Sequence, residues 1–288
     1  MGHSNYYLDH SGEKGELNRL DVQHQLWQNL LNGRLLMVPH SQINSLLDLG
    51  CGSAVWTAAV AKTFPKTNIV GVDITPPISD FGLDNLTFVT ADMEEPWKFA
   101  DEQSECYDVI TIRVLVSAIR DWASLVRRCF EHLQPGGWIE IPDVTIGTFS
   151  DEFDWRDESS PLMRWYQCYR RGASTLGIDG FANQKRANGL ATAQFTRVSE
   201  SFFRCYLDED AVEEVKEKAI ARLTRQNMFG LLDAVTKTMQ ERGQWDILQI
   251  TSAELQQLKE DAKDDIAQNA ASRRYYWTLS VHAAQKSI

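Results

Sequence analysis

Cysteine is scarce and shows no pairing pattern. The five residues, Cys51, Cys106, Cys129, Cys168 and Cys205, are odd in number and never stand as a C-x-x-C pair. That excludes a disulfide framework and a cysteine-based zinc site, and it points to reduced thiols in a cytoplasmic setting. Long apolar runs are missing too: none approaches the ~18 residues a membrane span needs. The polar start Met1-Gly2-His3-Ser4-Asn5 lacks the apolar stretch of a signal peptide, and Tyr6 stands where a myristoylation signal needs Ser or Thr. Positive charge is in deficit, with 29 Lys and Arg against 40 Asp and Glu and a formal net charge of −11. Such a chain repels a phosphate backbone, so neither nucleic acid nor a membrane is an expected partner. No H-x-x-x-H pair or clustered set of acids offers a metal site. Internal repeats and low-complexity tracts are absent as well.

What is present is the composition of a globular protein, 43% hydrophobic and 24% charged over 288 residues. That length suits one α/β domain with helical additions. Leu17, Leu20, His24, Trp27 and Leu31 recur at spacings of three and four and predict a helix over 16–31. Apolar runs at 43–49, 69–72, 86–89, 107–116 and 138–141 predict strands, and Pro135-Gly136-Gly137 predicts a turn before the last of them. Helical patterns lie between them at 55–64, stopped by Pro65, and at 122–133, where Trp122, Leu125, Val126, Cys129, Phe130 and Leu133 share one face. Strands alternating with helices indicate βαβ units and a doubly wound, mostly parallel sheet. Further on, helices are expected at 162–174 and 183–194 and strands at 195–207 and 275–283. The stretch between these last two strands, about 208–274, reads as wholly helical. It is far longer than a hairpin needs, and a lid over a ligand site is the expected use.

The informative run is Leu46-Leu47-Asp48-Leu49-Gly50-Cys51-Gly52-Ser53-Ala54. A buried strand ends at an acid and turns through two glycines into a helix. Glycine there permits positive φ and lets backbone approach a ligand closely. Asp73, which ends the next strand, stands close to where a nucleotide-binding fold places the acid that accepts hydrogen bonds from ribose hydroxyls. A dinucleotide fold adds a third glycine and sets a pyrophosphate at the helix start. Here Val55 and Trp56 follow Ala54 instead, and Asp48 would oppose the phosphates. A phosphate-free adenosine cofactor carrying an ammonium and a sulfonium suits this loop better, which favours S-adenosyl-L-methionine over a nicotinamide coenzyme.

The chain resembles class I methyltransferases and is most similar to the fungal LaeA-like group of secondary-metabolism methyltransferases. The resemblance runs from Glu16-Leu17-Asn18-Arg19-Leu20-Asp21-Val22-Gln23-His24 through the glycine loop. It continues at Thr90-Ala91-Asp92-Met93-Glu94-Glu95-Pro96-Trp97, from Arg113 to Trp122, and from His132 to Asp143, then resumes at Arg273-Arg274-Tyr275-Tyr276-Trp277. It implies a seven-stranded Rossmann-like sheet. Residues 1–40 would close over the cofactor, 41–150 would form the cofactor-binding core, and 151–288 would carry the remaining strands with the inserted helices as a substrate cap. It implies that Asp48, Gly50 and Gly52 line the methionine end of the cofactor, with Cys51 between them. Asp73 would hold the ribose with Ile74 beside it, Asp92 would accept from the adenine amino group, Met93 would pack on the ring, and Arg113 would border the methionine. Tyr6 and Tyr7 lie in a terminus that cofactor binding would order, and Tyr7 joins the candidate contacts.

Several of these residues have a plainer reading. Asp73 would serve equally as a helix cap, Asp92 as a cap for the turn before Pro96, and Arg113 as partner to a nearby acid. His24 has the chemistry of a base near neutral pH but shares its helix face with core residues. Asp143, at the end of the fifth strand, faces the sheet edge where ligands bind and competes with His24 for that role. Arg19 and Gln23 are helix surface or help the terminus close. Trp165, Tyr166, Tyr169 and Phe181 suit either a pocket wall or a core. The expected activity is methyl transfer to an O, N or S atom of a small-molecule substrate. A LaeA-like regulatory protein and a catalyst that keeps the cofactor unreacted to steer a cyclisation are the alternatives.

Overall fold

The computed structural model describes residues 14–39, 43–75, 77, 81–98, 107–152, 154 and 156–288. The first half runs α1 (Lys14–Leu30), β1 (Ser45–Leu49), α2 (Val55–Thr63), β2 (Asn68–Asp73), β3 (Leu86–Thr90), β4 (Tyr107–Ile112), α3 (Trp122–His132) and β5 (Leu133–Val144). The second half runs β6 (Phe149–Ser150), α4 (Pro161–Ser174), α5 (Asn183–Thr192), β7 (Thr196–Tyr206), α6 (Val215–Arg242), α7 (Trp245–Leu248), α8 (Ser252–Asn269) and β8 (Tyr275–Gln285). The strands form one sheet in the order β3-β2-β1-β4-β5-β8-β6, with β7 paired to β8. Strands β1 to β5 are parallel, and β8 runs antiparallel to β5 and β7. This is the expected doubly wound fold, with the two-residue β6 as an eighth strand. The chain leaves β1 for β2 on one side and returns to β4 on the other. That reversal opens a crevice at the carboxyl ends of these strands, where such folds bind ligands.

The central strands are near-continuous apolar runs because helices cover both faces of the sheet. Leu46, Leu47 and Leu49 of β1 are completely buried, as are Val109, Ile110 and Ile112 of β4. Helix α3 buries Trp122, Leu125, Val126 and Cys129 and begins at Asp121, whose carboxylate accepts from the Ser124 N–H at 3.0 Å. Helix α4 begins at Ser160, whose hydroxyl accepts from the Met163 N–H, with Pro161 in the first turn. The long helices α6 and α8 fall between β7 and β8 in sequence. Helix α6 packs along α1, and α8 packs on α4 and α6. Gly230 of α6 allows the first contact: a Cβ there would stand 2.9 Å from Cγ of Arg19. No helix among the described residues is long and apolar enough to cross a membrane.

Two segments differ from the sequence reading. Pro135-Gly136-Gly137 is not a turn before the fifth strand but an irregularity inside it, since β5 already begins at Leu133. Gly136 takes φ +81°, and a Cβ on Gly137 would meet the carbonyl oxygen of Gln134 at 2.9 Å. The run 107–116 is strand only to Ile112. Val114 turns the chain with φ +52°, its N–H donating to the Pro142 carbonyl at 2.8 Å. A β-branched residue at positive φ is disfavoured, and such strain gathers at functional sites. Here it swings Arg113 to Ser117 out of the sheet and over the crevice.

Candidate functional site

The crevice begins at the glycine turn. Gly50 and Gly52 take φ +71° and +54°. A Cβ at Gly50 would stand 2.5 Å from Cδ1 of Leu115, so a larger residue must both take a left-handed backbone and displace that side chain. The Gly50 and Cys51 N–H groups donate to the Val72 carbonyl at 2.7 and 3.1 Å. Asp73 locks the same turn: one carboxylate oxygen accepts from the Gly52 N–H at 2.8 Å and the other from the Thr75 N–H at 3.0 Å.

Asp48 is 2% exposed, and its oxygens accept from the hydroxyls of Thr57 at 2.6 Å and Thr111 at 2.9 Å. Burial lifts its pKa to about 6, against the pull of those hydroxyls and of Arg113. Cys51 lies beside Asp48 and Asp73, and burial followed by their negative charge pushes its thiol far up, so it stays an unreactive thiol. Arg113 lies over the Trp56 ring at 4.3 Å and near the Trp27 ring at 5.9 Å. Its Nη1 is buried without a hydrogen-bond partner. Burial lowers its pKa, while Glu140 and Asp48 hold the charge in place. Glu140 also accepts from the Met37 and Val38 N–H groups at 2.6 and 2.9 Å, which ties the chain after α1 to the sheet. His24 of α1 faces the same space; burial and then the Arg113 charge lower its pKa, so its imidazole is neutral at pH 7.

These groups line one cavity that holds about 1350 Å³ of empty space, its open mouth included. Asp48, Gly50, Cys51, Gly52, Asp73 and Ile74 form one end, Arg113 and His24 stand beside them, and Tyr166, Tyr169, Leu231 and Trp277 wall the other. Two carboxylates flank the glycine turn, so the site suits a cationic, phosphate-free ligand. The unpartnered Nη1 of Arg113 offers one charge-assisted hydrogen bond to a carboxylate.

Other expected residues are not brought to this cavity. Asp92 follows β3 and accepts from the Glu94 N–H at 2.8 Å, which is the turn-capping alternative. Met93 is 6% exposed and packs in the core, its carbonyl accepting from Trp97 Nε1 and Arg128. Asp143, expected to face the ligand edge as a base, is instead fully buried and paired with Arg186 at 3.0 Å. Its other oxygen accepts from the N–H groups of Val116 at 3.3 Å and Val144 at 2.7 Å. It therefore supports the two loops that frame the cavity and is not part of the cavity lining. Trp165 lies in the core, donating to the Thr236 hydroxyl, and Phe181 lies at the surface under Arg170. Tyr6 and Tyr7 lie outside the described residues.

Arg19 and Gln23, read from the sequence as helix surface or as an aid to closing the terminus, line the cavity. Arg19 pairs with Glu16 at 2.5 Å and bridges to Gln23 on α1 and Asn227 on α6. The cavity also gains residues that the sequence reading did not assign to a site. Trp56, Leu115, Ser117 and Trp277 line it too. Ser117 and Trp277 sit in the segments that carried the family resemblance, which was the available signal for them.

Residues 22–194 match the family described as a methyltransferase domain. Among relatives, the chain is 34% identical over 142 residues to the methyltransferase PytC of Aspergillus terreus, covering 49% of this chain and 43% of that protein. It is 28% identical over 213 residues to the protein-methionine methyltransferase LaeA of Emericella nidulans, covering 73% of this chain and 55% of that one. The chain thus spans about half the length of these relatives. Among solved structures, Haemonchus contortus phosphoethanolamine N-methyltransferase 2, in complex with phosphomonomethylethanolamine and S-adenosylhomocysteine, superposes with a TM-score of 0.54 at 14% identity, covering 100% of this chain and 61% of that one. At that identity the likeness is one of fold.

Proposed function

The chain belongs to the methyltransferase-domain family, and from that premise we propose that it uses S-adenosyl-L-methionine to methylate an O, N or S atom of a small secondary metabolite. The observation that carries the reading is the charge arrangement at the glycine turn. Asp48 and Asp73 oppose a phosphate there, while the unpartnered Nη1 of Arg113 calls for an anionic group such as an amino-acid carboxylate. When bound, the cofactor supplies an electrophilic methyl group on a sulfonium.

The rest is done by this chain. Asp48 balances the ammonium, and Gly50 and Gly52 let backbone come close to the ligand. Asp73, which ends β2 beside the glycine turn, accepts from the ribose hydroxyls. Helices α1, α4 and α6 roof the cavity and exclude water from the acceptor, and holding that acceptor in line accounts for a large part of the acceleration. His24, neutral at pH 7, takes the proton of an acceptor that still carries one.

Calorimetry with S-adenosylhomocysteine tests the first half of the proposal, and incubation of methyl-labelled cofactor with extracts of a strain lacking the gene tests the second. Micromolar heat and a labelled small product are expected. No heat with either cofactor form, together with saturation by a nicotinamide coenzyme, would overturn it.

A further inference from the structure

Away from the glycine turn the cavity changes character. Its wall is Tyr166 and Tyr169 of α4, Trp277 of β8, Leu231 of α6 and Ile146 after β5. The charged side chains lining this end among the described residues, Glu16 and Arg19, neutralise each other at 2.5 Å. An acceptor with a carboxylate, phosphate or ammonium would shed its water here with no opposite charge to replace it. Flat aromatic walls favour an apolar ring system instead.

The polar atoms at this end narrow the choice further. The Tyr166 hydroxyl is already committed, accepting from Trp277 Nε1 at 2.8 Å and donating to the Met228 sulfur at 3.1 Å. Thr145 accepts from the Asn183 amide at 3.0 Å and keeps its own hydroxyl proton. The hydroxyls of Ser117 and Tyr169 share one hydrogen bond of 2.5 Å. With Tyr169 as its donor, Ser117 keeps a proton and a lone pair for a ligand. Ser117 also lies on the strained segment that carries Arg113, so the same loop touches both ends of the cavity.

Resting on the cofactor reading above, we infer that the acceptor is an uncharged, largely apolar molecule bearing a phenol- or enol-type hydroxyl, and that the Ser117–Tyr169 pair holds that oxygen. In the transfer an O–CH3 bond forms as the S–CH3 bond breaks. The electron pair of the broken bond stays on sulfur, and the hydroxyl proton goes to the neutral His24 imidazole. Ser117 is the contact, and Tyr169 is a positioning residue that acts through it.

Equilibrium dialysis with 2-naphthol, naphthalene and 2-naphthoate, at saturating S-adenosylhomocysteine, tests this. Naphthol is expected to bind about tenfold more tightly than naphthalene, and naphthoate more weakly than either. Ser117→Ala should bring the naphthol-to-naphthalene ratio close to one and Tyr169→Phe should lower it part of the way, while calorimetry on the same preparations shows unchanged affinity for S-adenosylhomocysteine. Tightest binding of naphthoate, or a ratio that survives both substitutions, would overturn the inference. Should the wild type fail to bind S-adenosylhomocysteine, the cofactor reading falls by itself. The same dialysis without it then decides the acceptor.

Discussion

The guanidinium of Arg113 lies 4.3 Å from the centre of the Trp56 ring, on the α2 side of the glycine turn, and its Nη1 is buried with nothing to bond. An unpartnered donor in such a place costs stability, and binding a carboxylate recovers that cost. Arg113→Met should therefore weaken S-adenosylhomocysteine binding by roughly 10- to 150-fold, the range of a charge-assisted hydrogen bond of about 1.5–3 kcal/mol. Arg113→Lys should fall between, because a point charge cannot reproduce the planar fork. Calorimetry reads both, and wild-type affinity in either variant would remove Arg113 from the site.

Asp48 links the site to pH-dependent stability. Burial raises its folded-state pKa from 3.8 to about 6. A raised carboxylate pKa means the folded chain holds the proton more tightly than the unfolded one. The stability this gives is full below pH 3.8 and is lost as pH rises through about 6, on the order of 3 kcal/mol in all. Asp48→Asn removes the ionisation and can still bond Thr57 and Thr111. The variant should melt above wild type at pH 8 and close to it at pH 4, while its affinity for the ammonium-bearing cofactor falls. Equal melting differences at the two pH values would contradict this account of Asp48.

The two glycines of the turn should respond unequally. An alanine at position 50 meets positive φ and a 2.5 Å contact with Leu115, whereas at position 52 the nearest outside atom, on Leu20, stands 3.8 Å away. Gly52→Ala should cost about 1–2 kcal/mol from the backbone alone. Gly50→Ala should cost more, because Leu115 must also move. Urea midpoints of the two variants give the ranking, and the reverse order would show that the contact with Leu115 is readily relieved.

The sheet and the glycine end of the site were legible because their signals are local. A buried run, an acid, two glycines and a helix follow one another in sequence, and the acid that clamps the turn closes the very next strand. What escaped depends on contacts between distant segments. Asp143 looks like a candidate base until Arg186, on a helix three elements later, fills its open side. Asp92 caps its own turn through Oδ1, a contact set by the bend after β3 that the sequence does not announce. The strand-to-loop change at Arg113 rests on Val114 at positive φ, which no propensity of valine announces. Gly136 and Gly137 read as a turn because glycines favour turns and bulges alike, and only the partner strand decides between them.

His24 and Asp143, the two candidates for a base, separate experimentally. Burial and the neighbouring Arg113 charge hold the His24 pKa below 6.5. Its protonation should therefore reduce kcat/KM only on the acid side of that value, with a plateau above it. His24→Asn should remove that limb and cost about 10²–10⁴ in rate for an acceptor that carries a proton. Asp143→Ala leaves the Arg186 guanidinium buried without its ion-pair partner and should destabilise the fold by about 3–5 kcal/mol. The protein that does fold should keep the wild-type pH profile, since Asp143 is fully buried outside the cavity lining. Urea unfolding and a pH–rate series on each variant separate the two roles: a lost acid limb in Asp143→Ala, with His24→Asn unaltered, would exchange the assignments.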